Sequence, residues 1–170
     1  MKAILVNDDK SLRWDDVPNP ILGKEDCLVK IEAAALNRAD LMQREGDYPP
    51  PEGCPEWMGL EIAGTIVEIA EGAKEKSNWK IGDKVCALLG GGGYAEYANI
   101  KYDMLMPIPE NCTMVEAAAM PEAFATAYLN LFMAEARIPN LICNVFKRFF
   151  GQYDLFICRI QPKMRYECMQ

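Results

Sequence analysis

The chain has 170 residues, half of them apolar and a quarter charged, with a net charge of −7. That balance belongs to a globular protein with a sizeable core and excludes an intrinsically disordered chain. The acidic excess also argues against a nucleic-acid partner, because phosphate binding needs clustered Lys and Arg.

The opening Met1-Lys-Ala-Ile-Leu-Val carries too short an apolar run for a signal peptide. No run approaches the roughly 18 apolar residues of a membrane helix, so no membrane partner is expected and the expected location is cytoplasmic. The seven cysteines (Cys27, Cys54, Cys86, Cys112, Cys143, Cys158 and Cys168) are widely spaced, with no Cys-x-x-Cys. They read as reduced thiols.

In chain order, Lys2–Asn7 and Leu12–Val17 read as strands joined by the polar turn Asp8–Ser11, followed by turn-rich Pro18–Lys24. Cys27–Ala35 alternates apolar and polar residues, the period of a half-buried strand. Asn37–Glu45 suits a short helix, with Asn37 as N-cap and Gly46 to stop it. On that helix Asp40 and Arg44 stand i,i+4 and read, with Arg38, as an exposed charged face worth a few tenths of a kcal/mol. Tyr48–Gly53, with three prolines, is an extended loop.

Glu61–Ala70 is rich in Ile, Val and Thr and reads as a strand ending at Glu71-Gly72. Lys80–Lys84 is a turn into the strand Val85–Leu89, Gly90–Gly93 a loop, and Tyr94–Ile100 another strand. Gly90–Gly93 lacks the Lys-Ser/Thr and following helix of a phosphate cradle and reads as a loop lining a cleft or turning a strand. Six or seven short strands with Gly and Pro turns predict a compact, largely antiparallel barrel or sandwich.

Thr113-x-x-Glu116 is a capping box opening a helix, and Pro121 starts a second over about 122–136. Ala125, Leu129, Phe132 and Ala136 form an apolar stripe on it, with Glu122, Thr126 and Asn130 on another face. The composition then shifts. Residues 1–138 carry 13 basic and 23 acidic side chains, whereas 139–170 carry 5 and 2 and hold four of the six Phe. The domains predicted are therefore 1–120, a linking helix 121–138, and a divergent tail 139–170.

Four blocks of sequence carry a resemblance. The first is Asn37-Arg-x-Asp40 with Arg44, Gly46 and Tyr48-Pro-Pro-Pro51, and the second is Gly59-Leu-Glu61-x-x-Gly64. The third is Lys80-Ile-Gly-Asp83 with Ala87-Leu-Leu89 and the glycines after it. The last is Leu105-Met-Pro-Ile-Pro-Glu110 with Ala117-Ala-Ala119, Pro121-Glu-Ala123 and Thr126-Ala127. In this order, over about 1–136, they resemble the quinone oxidoreductases of the medium-chain dehydrogenase/reductase superfamily. The zeta-crystallin-like and tumour-suppressor-inducible NADPH:quinone oxidoreductases are the nearest in pattern.

The resemblance implies a mostly β fold with a few helices: a GroES-like β-barrel, the alcohol dehydrogenase-like N-terminal domain. It also implies hydride transfer from NADPH to a small quinone. The family continues into a Rossmann domain, where a glycine-rich turn lets backbone N–H groups meet the pyrophosphate. Here Pro139-Asn-Leu-Ile-Cys-Asn-Val-Phe-Lys-Arg-Phe-Phe150 stands in that place, and Gly151 is the only glycine after it. The Rossmann domain is thus expected to be absent, and NADPH binding and turnover are not expected of this chain alone. The alternative is a non-catalytic GroES-like fragment or truncated isoform, acting by protein–protein association, with homo-oligomers formed through exposed apolar surface.

The resemblance also implies roles for three residues. Asn37 would contact the nicotinamide ribose, or be a plain N-cap. Thr126 would meet the nicotinamide carboxamide, or be an exposed helical Thr. Tyr48 would stand at the mouth of the quinone cleft as a hydrogen-bond donor, or be a loop Tyr packed on Pro49–Pro51. Gly59-Leu60-Glu61 occupies the place of the Gly-His-Glu of zinc-dependent relatives. The chain has no His, so no metal ligand is assigned and a zinc-independent enzyme is expected.

Overall fold

A computed structural model describes residues 1–129. The chain divides into two compact units, Met1–Glu122 and the stretch from Ala123 onward. The change of composition at 138/139 and the residues Asn130, Phe132 and Ala136 lie outside the described residues.

The first unit is built on antiparallel strands. β1 (Lys2–Val6) and β2 (Leu12–Asp16) form a two-stranded sheet, with Ile4 opposite Trp14. The larger sheet has five strands in the order β6-β3-β4-β5-β7. These are β3 (Asp26–Ala34), β4 (Glu61–Ile69), β5 (Lys84–Leu88), β6 (Tyr97–Lys101) and β7 (Leu105–Pro107). The two sheets are stitched together where Ile4 N–H donates to the Tyr94 carbonyl (2.8 Å) and Glu96 N–H to the Lys2 carbonyl (3.0 Å).

The central strand β4 is covered on both faces, and so its sequence runs apolar without alternation. Ile62 and Ile66 face a core with Cys27, Val29, Val85 and Ile100. Ala63 faces the other way, onto Cys86, Ala117 and Ala118. Ile62, Ile66, Val29 and Val85 are each fully buried, and such a side chain contributes about 1.5–3 kcal/mol. Between these residues Gly64 passes under the β3 backbone so closely that a Cβ would lie 2.1 Å from the Lys30 carbonyl oxygen.

Four α-helices complete the described chain. α1 (Arg38–Glu45) starts at Asn37 and ends at Gly46, whose φ of 91° is the left-handed cap that glycine takes without strain. α2 spans Glu71–Lys76, α3 Met114–Ala118 and α4 Pro121–Tyr128. At α3 the capping box forms as predicted: Glu116 N–H donates to Thr113 Oγ1 (3.3 Å) and Thr113 N–H to Glu116 Oε2 (2.8 Å). Of the apolar stripe, Ala125 on α4 and Leu129 just after it are exposed, whereas Ala127 is buried.

The architecture is the mostly β class with a few helices that the sequence predicts. Two elements differ from the sequence reading. α2 follows where the sequence reading has only the end of a strand at Glu71-Gly72, although Gly72 weakens a helix and Ala70 offers no capping side chain; the helix seats the single buried residue Ala73. β7 pairs with β5 although Pro107 ends it, because it lies at the sheet edge, where a missing N–H is tolerated.

Candidate functional site

The polar centre of the first unit forms where three segments meet: the start of α1, the entry to β4, and the loop before β6. Asp40, the third residue of α1, is 3% exposed. Its Oδ1 accepts from Gly59 N–H (3.1 Å), and its Oδ2 from Asn37 N–H (2.8 Å) and the Tyr94 hydroxyl (2.8 Å). The Tyr94 hydroxyl also lies 3.1 Å from the Ala35 carbonyl oxygen. Three donors on one buried carboxylate satisfy what would otherwise be a costly charge.

This arrangement corrects the reading of Asp40 and Arg44 as a surface pair. Arg44 pairs with its neighbour Glu45 at 2.8 Å, and Asp40 turns inward. Arg38 is exposed, as expected.

Beside Asp40 lies a second buried carboxylate, Glu61, 2% exposed at the start of β4. Its Oε1 accepts from Asn37 Nδ2 (2.9 Å) and its Oε2 from Glu122 N–H (2.9 Å). Burial pushes the Glu61 carboxyl above its ordinary value, the two donors pull it back, and the charges of Glu122 and Asp40 add to the rise. The Tyr94 hydroxyl is likewise held strongly protonated, by burial first and then by its bond to Asp40.

The backbone around these side chains is close-packed. Gly93 N–H donates to the Gly59 carbonyl (2.9 Å) and Tyr94 N–H to the Met58 carbonyl (2.9 Å). A Cβ on Gly59, whose φ is +106°, would fall 2.5 Å from Tyr94 N and 2.7 Å from the Gly93 backbone. The glycine run is therefore a loop seated against the β4 entry. It leads on to the Ala95 bridge and β6, with no helix following it. An open groove of about 460 Å³, lined by Ile4, Trp14, Ile31, Leu36, Tyr94 and Ala95 among others, flanks the same loop.

Of the three residues singled out in the sequence, only Asn37 belongs to this cluster. It is half-buried, caps α1 with extended backbone, and has its side-chain amide tied to Glu61. Tyr48 is 41% exposed on the loop after α1 and makes no hydrogen bond to the cluster among the described residues. Thr126 is half-buried on α4, in the second unit. Asp40, Glu61 and Tyr94 are the residues that sequence reasoning missed. Glu61 had a signal, a lone acid opening the apolar run Ile62-Ala-Gly-Thr-Ile66, where burial requires donors.

The donor set can be weighed against what the resemblance implies. The Asn37 amide, held at one end, suits an uncharged polar group such as a sugar hydroxyl. No strand–glycine turn–helix unit for a pyrophosphate occurs among the described residues. No cluster of three or more His, Cys, Asp or Glu able to hold a metal occurs among them either. None of their helices is long and apolar enough to cross a membrane.

Comparison with known proteins shows the family of this chain. The family model "Alcohol dehydrogenase GroES-like domain" matches residues 23–110. An alcohol dehydrogenase of Geobacillus stearothermophilus is 34% identical, over 81% of this chain and 48% of its own length. A chloroplastic quinone oxidoreductase of Triphysaria versicolor is 35% identical, over 71% of this chain and 37% of its own. Among solved structures, the quinone oxidoreductase of Thermus thermophilus, also solved with NADPH, superposes with a TM-score of 0.63. It is 33% identical, over 80% of this chain and 42% of its own. The chain thus spans less than half the length of each of these relatives.

Proposed function

Because the chain belongs to the alcohol dehydrogenase GroES-like domain family, we propose that it is the substrate-side half of a zinc-independent, NADPH-dependent quinone oxidoreductase of the zeta-crystallin-like type. Quinone oxidoreductases among its relatives, one of them solved with NADPH, support the reaction class. The observation that carries the reading is the Asn37 amide, fixed by buried Glu61 at a half-buried position.

In this reading Asn37 binds and orients the nicotinamide ribose, and Thr126 the carboxamide. Tyr48 donates a hydrogen bond to the quinone oxygen as charge develops there. When bound, NADPH supplies the hydride, so the chain's own task is positioning and exclusion of water rather than acid–base chemistry. Zinc independence rests on the donor set: the chain has no His, and both oxygens of Glu61 already accept hydrogen bonds. In this reading the enzyme works in the cytoplasm.

The test is an NADPH titration followed by nicotinamide fluorescence, with circular dichroism on the same sample. Saturable binding that N37A weakens supports the reading, and quinone-dependent NADPH oxidation should accompany it. A folded chain that binds no NADPH is the outcome expected where the Rossmann domain is needed for binding, and it overturns an enzymatic role for this chain alone. It would leave a non-catalytic module acting by association, a reading favoured by the exposed apolar residues Leu36 (87%) and Val115 (73%). Size-exclusion chromatography then reads whether the chain forms homo-oligomers.

A further inference from the structure

We propose that Glu61 is a positioning residue, whose carboxylate holds Asn37 Nδ2 and thereby turns the amide's acceptor, Oδ1, which faces the Asp40 N–H of the capping box with one lone pair, to meet a hydroxyl donor of the ligand with the other. This deepens the reading of Asn37 given above and rests on it for the identity of the ligand. An asparagine amide has one donor end and one acceptor end, and either can face a given neighbour. An ionised carboxylate only accepts, so Glu61 selects which end turns inward.

Geometry also favours the ionised form. Both Glu61 oxygens are engaged by N–H donors, one on Asn37 and one on the Glu122 backbone, each at 2.9 Å. A glutamine in the same place keeps one acceptor and turns its own NH₂ toward the other donor. Either one of the two bonds is then lost, or the Asn37 amide turns its Oδ1 inward to meet the glutamine NH₂; in both cases the amide's orientation is no longer fixed by a carboxylate that only accepts. The titratable groups around Glu61 are Asp40 of α1, Glu122 at the start of α4, Cys86 of β5 and Tyr94 of the loop before β6. Lys and Arg are absent from this set.

The experiment is a pH titration of the Asn37 side-chain amide nitrogen by NMR on the full chain, assigned by its disappearance in N37S. In the wild type the resonance is expected to move with a midpoint above the roughly 4.3 of an exposed Glu. In E61Q it is expected to stay still over the same range. A wild-type resonance that does not move, or an equal movement in E61Q, overturns the proposal. If E61Q does not fold, the wild-type titration decides alone.

NADPH titration of the same samples separates this inference from the functional reading. Loss of a charge-assisted hydrogen bond that orients Asn37 should weaken NADPH roughly tenfold or more in E61Q. If the wild type binds no NADPH while the resonance titrates as expected, the functional reading fails and Glu61 still positions Asn37.

Discussion

Replacing Asp40 by Ala tests whether the buried carboxylate organises the α1–β4 junction. In the wild type it accepts from Gly59 N–H, Asn37 N–H and the Tyr94 hydroxyl, at 2.8–3.1 Å. The Tyr94 hydroxyl has a second acceptor ready, the Ala35 carbonyl at 3.1 Å, so it can turn and stay bonded. The two backbone N–H groups have none. An unsatisfied buried donor costs about 1–3 kcal/mol; with the Gly59 N–H buried and the Asn37 N–H half-buried, the loss in D40A is about 3 kcal/mol. D40N keeps one acceptor oxygen, presents its NH₂ to one donor, and should lose about 2 kcal/mol. The alternative, an exposed pair with Arg44, allows only a few tenths of a kcal/mol for either residue. Urea unfolding with linear extrapolation separates the two expectations. D40A within about 0.5 kcal/mol of wild type, or R44A costing as much as D40A, would refute the reasoning. Should D40A fail to fold, D40N supplies the measure.

Three further outcomes follow from the same region and from the α3 cap. The Tyr94 pKa is raised in the folded chain, so the stability it lends is complete below the unfolded value of about 10 and is lost as pH climbs beyond it; Y94F should flatten the alkaline limb of a stability–pH curve, and an unchanged limb would count against the buried phenol. G59A places a Cβ 2.5 Å from Tyr94 N at a φ of +106° and should cost about 3 kcal/mol or more, read by thermal unfolding; a variant as stable as wild type would show that the loop can shift. T113A removes the Oγ1 that caps Glu116 N–H and should cost about 1 kcal/mol by urea unfolding, with T113S restoring it.

Local signals made most of the fold legible. Alternation in Cys27–Ala35 placed β3 to within a residue, because one face of that strand is buried and the other is wet. The boundaries of α1 and α3 followed from Asn37, Gly46, Thr113 and Glu116, whose side chains or backbone freedom satisfy helix ends whatever the rest of the chain does. α2 was not legible, since Gly72 and the uncapped start at Ala70 offset the helix-favouring Ala73-Lys-Glu-Lys76 in so short a stretch, and the burial of Ala73 in the core is not visible along the chain.

The site was legible only in part, for a reason that the pair Asp40 and Arg44 makes concrete. Spacing on a helix tells which side chains are neighbours along it, and i,i+4 opposite charges are neighbours by construction. It says nothing of what lies beyond the helix. Gly59 and Tyr94, nineteen and fifty-four residues away from Asp40, bring donors that a surface arginine cannot match, because a buried carboxylate without them would not fold inward at all. The same logic sets Glu61 on Asn37, twenty-four residues apart. A polar residue interrupting an apolar run is therefore the sequence feature that best marks this centre. In this chain it falls at Glu61, where the fold turns a helix cap into a side chain of fixed orientation.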